Sequence, residues 1–456
     1  MDRRRFLATS GAATAGVLVG PGAWGRETSA RAAEQPAFDP TDWDSVRGQF
    51  PLAPDEIDLS ALYLSSHPLP VRDAIAQHRR ALDARPTRHV RENDGRRTAA
   101  ALSAAARYMG AEPSEIALVD STTMGLGLLY TGLDLHAGQE ALTTSHDYYV
   151  THESLRLATE RNGARVRKIA LYDVAPSNLT PRVIEEAIVR EIRPETRVLA
   201  LTWVHSGTGL ALPLARIASR VREVNARRAE PDRVLLCVDG VHGFGCRDEG
   251  VDDLGFDFFA AGCHKWLFGP RGTGILWGRS GAWRHVRPTI PSFDAPEAWT
   301  AWFQGRAPTG PTTARRATPG GFKPFEHRWA LTEAFEFHRA IGRGRVAERT
   351  HALARRLKEG LAQLGHVRLA TPMADEISAG IVCFDVTGRS PGEVVARLYQ
   401  RGIVGTVTPY ATRHVRLSPS IRNSEAEVDA ALDVVAGIGP ARIAVPEELD
   451  IPEELD

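Results

Sequence analysis

Residues 234–243 read VLLCVDGVHG, and residues 256–270 read FDFFAAGCHKWLFGP. In the first stretch, five apolar residues end in Asp239 and a glycine, which predicts a buried parallel strand that carries the acid at its C-terminal end. In the second stretch, a strand-like run leads into Gly262 and then Lys265. Ligand sites in open α/β sheets lie at the carboxyl ends of strands. The two stretches therefore predict a carboxylate and an amine, each at a strand end.

Lys265 is one of only four lysines in a chain rich in arginine; the others are Lys168, Lys323 and Lys358. Arginine stays protonated, whereas a lysine amine can lose its proton and attack a carbonyl. Pyridoxal 5'-phosphate (PLP) needs such an amine to hold its aldehyde, and an acid to keep its ring nitrogen protonated. A surface His-Lys pair is the structural alternative, and Asp239 upstream favours the PLP interpretation.

A candidate phosphate anchor lies further upstream. The strand-like run 116–120 is followed by Ser121, Thr122 and Thr123 and then by an apolar helical stretch, 124–130. Hydroxyls and free N–H groups at a helix N-terminus can bind an anion. Ser and Thr are also ordinary N-cap residues. The chain order, with Asp239 and Lys265 downstream, favours the anion site.

Five motifs in this order resemble those of class V aminotransferase-type PLP enzymes of fold type I, and most closely the isopenicillin N epimerase-like branch. They are DSTT (120–123), WVHSGTG (203–209), VDGVHG (238–243), GCHK with GPRGTG (262–265 and 269–274) and RHVRLS (413–418). The resemblance spans roughly residues 60 to 435. It implies an α/β fold with a mostly parallel sheet covered by helices, a smaller α+β C-terminal domain, PLP as cofactor and an amino-acid substrate.

The resemblance also implies cofactor-binding roles. Lys265 is expected to hold the aldehyde and Asp239 the ring nitrogen. The residues around them are expected to bind the phosphate (Ser121, Thr122, Thr123 and His264) and to lie near the ring or its 3-hydroxyl (His242 and Ser206). Many relatives have Asn in place of Ser206, which has a shorter reach.

Two further roles follow from the same resemblance. Tyr148 is expected to stack on the cofactor ring, with Tyr149 as the fallback and core packing as the structural alternative. Arg416 is expected to grip a substrate carboxylate through its planar fork. Arg413 and Arg422 are expected at the surface.

The motifs leave the reaction open among epimerisation, transamination and C–S β-elimination; the nearest branch favours epimerase-type proton transfer at Cα. A persulfide-forming desulfurase is disfavoured, since residues 404–412 contain no cysteine and Cys383 lies in a strand-like run. Tyr410 and His67 are candidates for a second base. A non-catalytic PLP-fold binding protein is the alternative from another class, and the presence of both Asp239 and Lys265 argues against it.

The composition of the whole chain limits the classes of partner and site that can be predicted. The chain has 456 residues and a formal net charge of zero, with basic and acidic residues interleaved, so no nucleic-acid groove is predicted. No stretch predicts a stable membrane association. The four cysteines show no CxxC spacing, so neither a disulfide framework nor a metal site is indicated.

An arginine-rich start, RRRFL at residues 3–7, precedes a small-residue apolar stretch and a candidate ARA cleavage site at 30–32. This pattern predicts export by the twin-arginine machinery to the periplasm or the exterior, or a cytoplasmic location if the signal is not functional. The resemblance implies a homodimer that completes each phosphate site near residues 318–321. The predicted segments are a signal (1–33), an irregular entry segment (34–75), a large PLP-binding domain (76–310), a small C-terminal domain (311–440) and a disordered acidic tail (441–456).

Overall fold

The described residues, 38–173 and 179–439 of this computed structural model, contain thirteen strands in three sheets. In chain order the strands are β1 (Ile57–Asp58), β2 (Ile116–Val119), β3 (Glu140–Thr144), β4 (Arg165–Ile169), β5 (Thr196–Thr202), β6 (Leu235–Asp239), β7 (Phe258–Gly262), β8 (Gly274–Gly278), β9 (Val367–Leu369), β10 (Val382–Val386), β11 (Ile403–Val404), β12 (Thr406–Val407) and β13 (Val415–Leu417).

The α-helices of the same residues connect and cover these strands. They are α1 (Trp43–Arg47), α2 (Leu69–Ala84), α3 (Pro86–Met109), α4 (Thr122–Gly132), α5 (Tyr149–Asn162), α6 (Pro181–Arg190), α7 (Leu214–Asn225), α8 (Val251–Leu254), α9 (Pro296–Phe303), α10 (Ala314–Ala317), α11 (Phe325–Trp329), α12 (Leu331–Ile341), α13 (Arg343–Ala362), α14 (Pro391–Tyr399) and α15 (Glu425–Ala436).

The main sheet has the strand order β2-β8-β7-β6-β5-β3-β4, and only β8 runs antiparallel to its neighbours. Its two faces are both buried: Leu236 and Val238 of β6 pack in one apolar cluster, while Leu235 and Cys237 pack in the other. Helices α6 and α7 contribute to the first cluster, and α4 and α5 to the second. Burial on both faces explains why the strands are continuous apolar runs. The predicted parallel sheet covered by helices is confirmed.

A second, smaller sheet lies in the C-terminal part, with the antiparallel order β12-β13-β10-β9. Its apolar core includes side chains of α13, α14 and α15, such as Leu357, Leu398 and Val435. Strand β13 carries Arg416, so this sheet brings the predicted carboxylate anchor to the main sheet. The expected smaller C-terminal α+β unit is therefore present.

The entry segment differs from the irregular chain that the sequence suggested. It contains α1 and β1, and α2 begins at Leu69, before the predicted boundary at residue 75. Strand β1 pairs in parallel with β11, Ile57 opposite Ile403. A two-residue strand shows no periodicity, and its partner lies far along the chain, so the local pattern does not predict it. The linker-like stretch 310–321 likewise contains the short helix α10.

Several predictions concern residues that the structure does not describe. The twin-arginine signal and the acidic tail lie outside the described residues, and the boundaries of the predicted segments stay predictions. Within the described part of the chain, no helix combines the length and the apolarity needed to cross a membrane.

Candidate active site

All ten predicted site residues line one cavity of about 500 Å³. The cavity lies at the carboxyl ends of β5 and β6 and beside the loop that follows β7, where α/β folds place their ligands. Its wall also includes residues of the entry segment, Leu62 and Tyr63, and of the small sheet, Thr406 and Val407. The predicted residues in the wall are Ser121, Thr122, Thr123, Tyr148, Ser206, Asp239, His242, His264, Lys265 and Arg416.

Asp239 is the last residue of β6 and is 3% exposed. Burial raises the pKa of its carboxyl to about 6, against the lowering effects of the Val241 backbone N–H and the Lys265 charge. The Val241 N–H donates to Asp239 Oδ1 at 3.2 Å. Gly240 follows because a Cβ there would lie 1.7 Å from Cε2 of Phe259. The strand end therefore holds a buried carboxylate with few partners of its own.

Lys265 follows β7 by three residues, and burial lowers the pKa of its amine to about 8. The Asp239 carboxylate opposes this shift, whereas the Arg416 charge adds to it. A large fraction of the amine is thus neutral at mildly alkaline pH, as a nucleophile or base requires.

The turn at residues 121–123 caps the start of α4 and also leaves backbone N–H groups there without a partner inside the helix. Ser121 Oγ accepts the Met124 N–H at 3.1 Å and so caps α4, which is the structural alternative for this serine. Thr122 Oγ1 accepts the Gly262 N–H at 2.7 Å and ties the helix start to the strand that precedes Lys265. Thr123 is exposed in the cavity wall. The N–H groups of Met124 and Gly125 are both bonded to Ser121, so those of Thr122 and Thr123 are the ones that remain for an anion.

His264 supplies a test of whether these residues fit a phosphate group. Its ring Nδ1 is buried and has no hydrogen-bond partner. A Cβ added at Gly262 would lie 2.8 Å from His264 Cε1 and 3.3 Å from Thr122 Oγ1, so only glycine keeps this space open. An unpartnered ring nitrogen beside a helix N-terminus suits an anion. Together with the Asp239–Lys265 pair, these residues fit PLP.

His242 is buried, and burial holds the pKa of its ring well below the usual value, with the charges of Lys265 and Arg416 acting in the same direction. Trp266 Nε1 donates to His242 Nδ1 at 3.4 Å. The ring is therefore neutral, and this donor assigns its proton to Nε2.

Ser206 is bonded to Tyr410 rather than free to reach a ligand. The two hydroxyl oxygens lie 2.7 Å apart. The Tyr148 ring meets the Tyr410 ring edge-on, with centroids 6.1 Å apart. Tyr149 is 67% exposed and lies outside the cavity wall, so Tyr148 is the tyrosine of this pair that can face a cofactor.

Arg416 is 4% exposed and is held by two neutral acceptors. Its Nε donates to Thr406 Oγ1 at 3.0 Å, and its Nη1 donates to the Ser206 carbonyl at 2.8 Å. No carboxylate among the described residues lies within ion-pair distance of it. Its Nη2 is therefore available for a carboxylate in the cavity.

The expectation for the two neighbouring arginines is half right. Arg413 is exposed, as predicted. The surface prediction for Arg422 is wrong: it is 3% exposed, and its Nη1 donates to Asp58 Oδ2 at 3.1 Å. Asp58 lies on β1, and a polar loop sequence contains no sign of a partner so distant along the chain.

Some wall residues were missed. Thr202 ends β5, and the strand-end argument that found Asp239 would have found it as well. Asp147 lies behind the wall, where its carboxylate accepts N–H groups of Thr144 at 2.7 Å and Thr202 at 2.6 Å. No sequence motif marks Asp147, so only the fold shows that its hydrogen bonds stabilise the backbone beside the cavity.

Comparisons with known proteins agree with this geometry. The family model for aminotransferase class-V matches residues 65–430. Isopenicillin N epimerase of Streptomyces clavuligerus is 28% identical over 416 residues, which cover 87% of this chain and 99% of that protein. A protein of Streptomyces coelicolor named "Probable cysteine desulfurase" is 25% identical over 304 residues, which cover 64% of this chain and 68% of that protein.

Solved structures share the fold. The cystine C–S lyase C-DES in complex with its product cysteine persulfide has a TM-score of 0.77 at 22% identity, covering 86% of this chain and 100% of that one. The apo cysteine desulfurase of Thermococcus onnurineus has a TM-score of 0.74 at 22% identity, covering 86% and 97%. The chain therefore belongs to the class-V aminotransferase family and is a PLP-dependent enzyme of fold type I.

Proposed function

We propose that this enzyme moves a proton at the Cα of an amino-acid substrate, as an epimerase. The observation that carries the proposal is a cavity wall that contains the amine Lys265 and the cation Arg416 but no cysteine. All four cysteines of the chain are buried in its core, and Cys383 pairs with Arg416 on the neighbouring strand without entering the wall. The 28% identical isopenicillin N epimerase favours the same reaction class.

When bound, PLP supplies an aldehyde that captures amines and a ring that accepts electrons from the substrate Cα. Asp239 would hold the proton of the ring nitrogen at its carboxylate. Its position at the end of a buried strand excludes water from that contact, so the interaction is strong. The phosphate would lie at the start of α4, with Thr122, Thr123 and His264 around it.

Arg416 orients the substrate by holding its carboxylate through the free Nη2. Its contacts with Thr406 and Ser206 fix the guanidinium plane before the substrate arrives. Nζ of Lys265 would accept the proton of Cα, because burial lowers the pKa of this amine to about 8 and so leaves part of it neutral at mildly alkaline pH.

Epimerisation also requires a second group that gives a proton to the opposite side of Cα. Of the two candidates for this group, Tyr410 and His67, Tyr410 is the better supported. Its hydroxyl is bonded to the wall residue Ser206, and burial raises the pKa of the phenol, so it remains a proton donor. Neither Tyr410 nor His67 belongs to the cavity wall itself, and burial lowers the pKa of His67 to about 4.

Transamination and C–S β-elimination use the same wall and are the alternatives. Purified holoenzyme should be incubated in heavy water with a panel of amino acids, and four products followed together. Deuterium at Cα with inversion and without keto acid or thiol supports the epimerase. Keto acid would assign a transaminase, and released thiol a lyase. No exchange with any substrate, although PLP is bound, would contradict Cα chemistry.

A further inference from the structure

A second large cavity lies at the other end of the main-sheet strands from the cofactor cavity. Its volume is about 420 Å³, within the range of small-molecule sites. It lies at the amino ends of β5, β6 and β7, whereas the cofactor cavity lies towards their carboxyl ends. Arg197 and Thr202, five residues apart on β5, line the two cavities. At the rise of an extended strand, about 17 Å separates them.

The wall of this arginine cavity carries an excess of positive charge. Five arginines line it, and the carboxylates in the same wall are Glu230 and Asp257. Glu230 accepts from Arg284 Nη2 at 2.6 Å. Asp257 Oδ2 is occupied by the Leu236 N–H at 2.9 Å. The five arginines are Arg197, Arg222, Arg233, Arg279 and Arg284.

Arg222 and Arg233 are exposed at the cavity and form no ion pair among the described residues. Arg279 donates only to the carbonyl of Phe256, with Nη2 at 2.8 Å. These three guanidinium groups thus form no ion pair among the described residues, although Asp257 in the same wall attracts Arg279. Clustered like charges repel one another unless an anion lies between them.

Arg197 adds a buried cation to this cluster. It is 6% exposed, and its Nη2 lies 3.3 Å from His285 Nδ1. Burial lowers the pKa of His285, so the neutral ring accepts this hydrogen bond. The Nη1 atom of Arg197 is buried without a partner. A buried donor without an acceptor is unfavourable, and an oxyanion would satisfy it.

We propose that the arginine cavity binds a small, multiply charged oxyanion, such as a phosphate ester or a polycarboxylate. Guanidinium forks match both oxyanions through paired hydrogen bonds. The cavity size suits one small molecule. The site is separate from the cofactor cavity and independent of the reaction proposed above.

The test is calorimetric titration of the PLP-loaded enzyme with pyrophosphate, AMP and citrate, at low and at moderate salt. We expect one site per chain with an affinity that falls as salt rises. The ranking of the three probes shows whether phosphate or carboxylate chemistry is preferred. Arg222→Ser with Arg233→Ser should weaken binding tenfold or more. Both residues are exposed and make no ion pair, so the fold should be retained.

The matched control is Arg161→Ser with Arg227→Ser, which removes the same charge from exposed positions outside the cavity. The dissociation constants of this control variant for the three probes should lie within about twofold of those of the wild type. Arg197→Gln should also weaken binding, provided that its melting curve shows a folded protein. If none of the probes binds, or if the control loses as much affinity as the cavity variant, the site does not exist. An unchanged visible absorbance of PLP throughout shows that the effect does not arise at the cofactor.

Discussion

At the scale of single residues, burial moves two pKa values towards each other. It raises the pKa of Asp239 to about 6 and lowers that of Lys265 to about 8, while their mutual attraction opposes both shifts. The pair is therefore charged near neutrality, yet the amine loses its proton at mildly alkaline pH. Such perturbed groups in a cavity are typical of catalytic sites.

Lys265→Ala should abolish the visible absorbance of bound PLP, and borohydride reduction of wild type should label Lys265. The other lysines are less suited: Lys323 is paired with Asp120 at 2.7 Å, Lys358 is 1% exposed and bonded to carbonyls, and Lys168 is exposed on the edge strand β4. Mass spectrometry of the reduced enzyme locates the label. A label on any other lysine would show that the site is elsewhere.

Asp239→Asn should retain PLP and lose most turnover, about a hundredfold or more for a group that holds a proton in the reaction. It should also alter the pH dependence with which the cofactor-free protein captures PLP. The wild-type rate should rise through a midpoint near pH 8, as the Lys265 amine loses its proton. The asparagine removes the attraction that raises this pKa, so the midpoint should fall. Stopped-flow absorbance measures it, and an unchanged or higher midpoint would refute the electrostatic coupling.

Arg416→Ala should lower kcat/KM by about thirtyfold or more, since removing one partner of a buried charge pair costs about 2–5 kcal/mol. Arg416→Lys should recover only part of it, because an ammonium cannot keep the contacts with Thr406 and the Ser206 carbonyl while it also holds the substrate carboxylate. PLP absorbance should be unchanged in both variants. Arg413→Ala is the exposed control. Equal kinetics for Arg416→Ala and Arg413→Ala would remove Arg416 from substrate binding.

At the scale of elements, β1 and the loop after β13 hold the entry segment against the small sheet. β1 pairs with β11, and Asn423 Nδ2 donates to the Asp58 carbonyl at 3.1 Å. Arg422 contacts the Asp58 carboxylate from the same loop. The segment reaches the cofactor cavity through Leu62 and Tyr63, so these contacts also position part of its wall.

Arg422→Ala should therefore lower the free energy of unfolding by about 3 kcal/mol, because it leaves Asp58 without its buried partner. Arg413→Ala, on the exposed side, should change it by less than about 0.5 kcal/mol. Urea unfolding of the holoenzyme compares the two. A double variant with Asp58→Ala should lose less than the sum of the single variants. Strict additivity would show that the pair does not stabilise β1.

At the scale of the whole molecule, exposed aromatic side chains gather around α9. Rings of Trp299, Trp302 and Phe303 lie within 6.3 Å of one another, and Trp302 and Phe303 are 68% and 75% exposed. Phe322, 87% exposed, adjoins Lys323, whose ion pair with Asp120 lies beside the phosphate turn. A large exposed apolar patch is typical of an interface.

We predict a homodimer that uses this aromatic surface. Trp302→Ser with Phe303→Ser should yield a monomer and weaken PLP binding, since the resemblance places residues near 318–321 at a shared phosphate site. Tyr399→Ser, at a residue 64% exposed on α14, is the control and should remain a dimer. Light scattering measures the mass. A fully active monomer of the wild type would contradict the prediction.

The sequence determined the strands of the main sheet and the Asp239–Lys265 pair, whereas the resemblance to class V PLP enzymes implied the roles of wall residues such as Tyr148, Ser206 and Arg416. Strand ends such as Asp239 and helix starts such as Ser121 follow from local periodicity and capping, so a short window contains the information. Only the tertiary structure decided that Arg422 is buried and bonded to Asp58. It also decided that the Ser206 hydroxyl is bonded to Tyr410 and that Arg197 lines a second cavity. These contacts join residues distant along the chain, and hydrogen bonds and burial depend on distance in space, which no local pattern encodes.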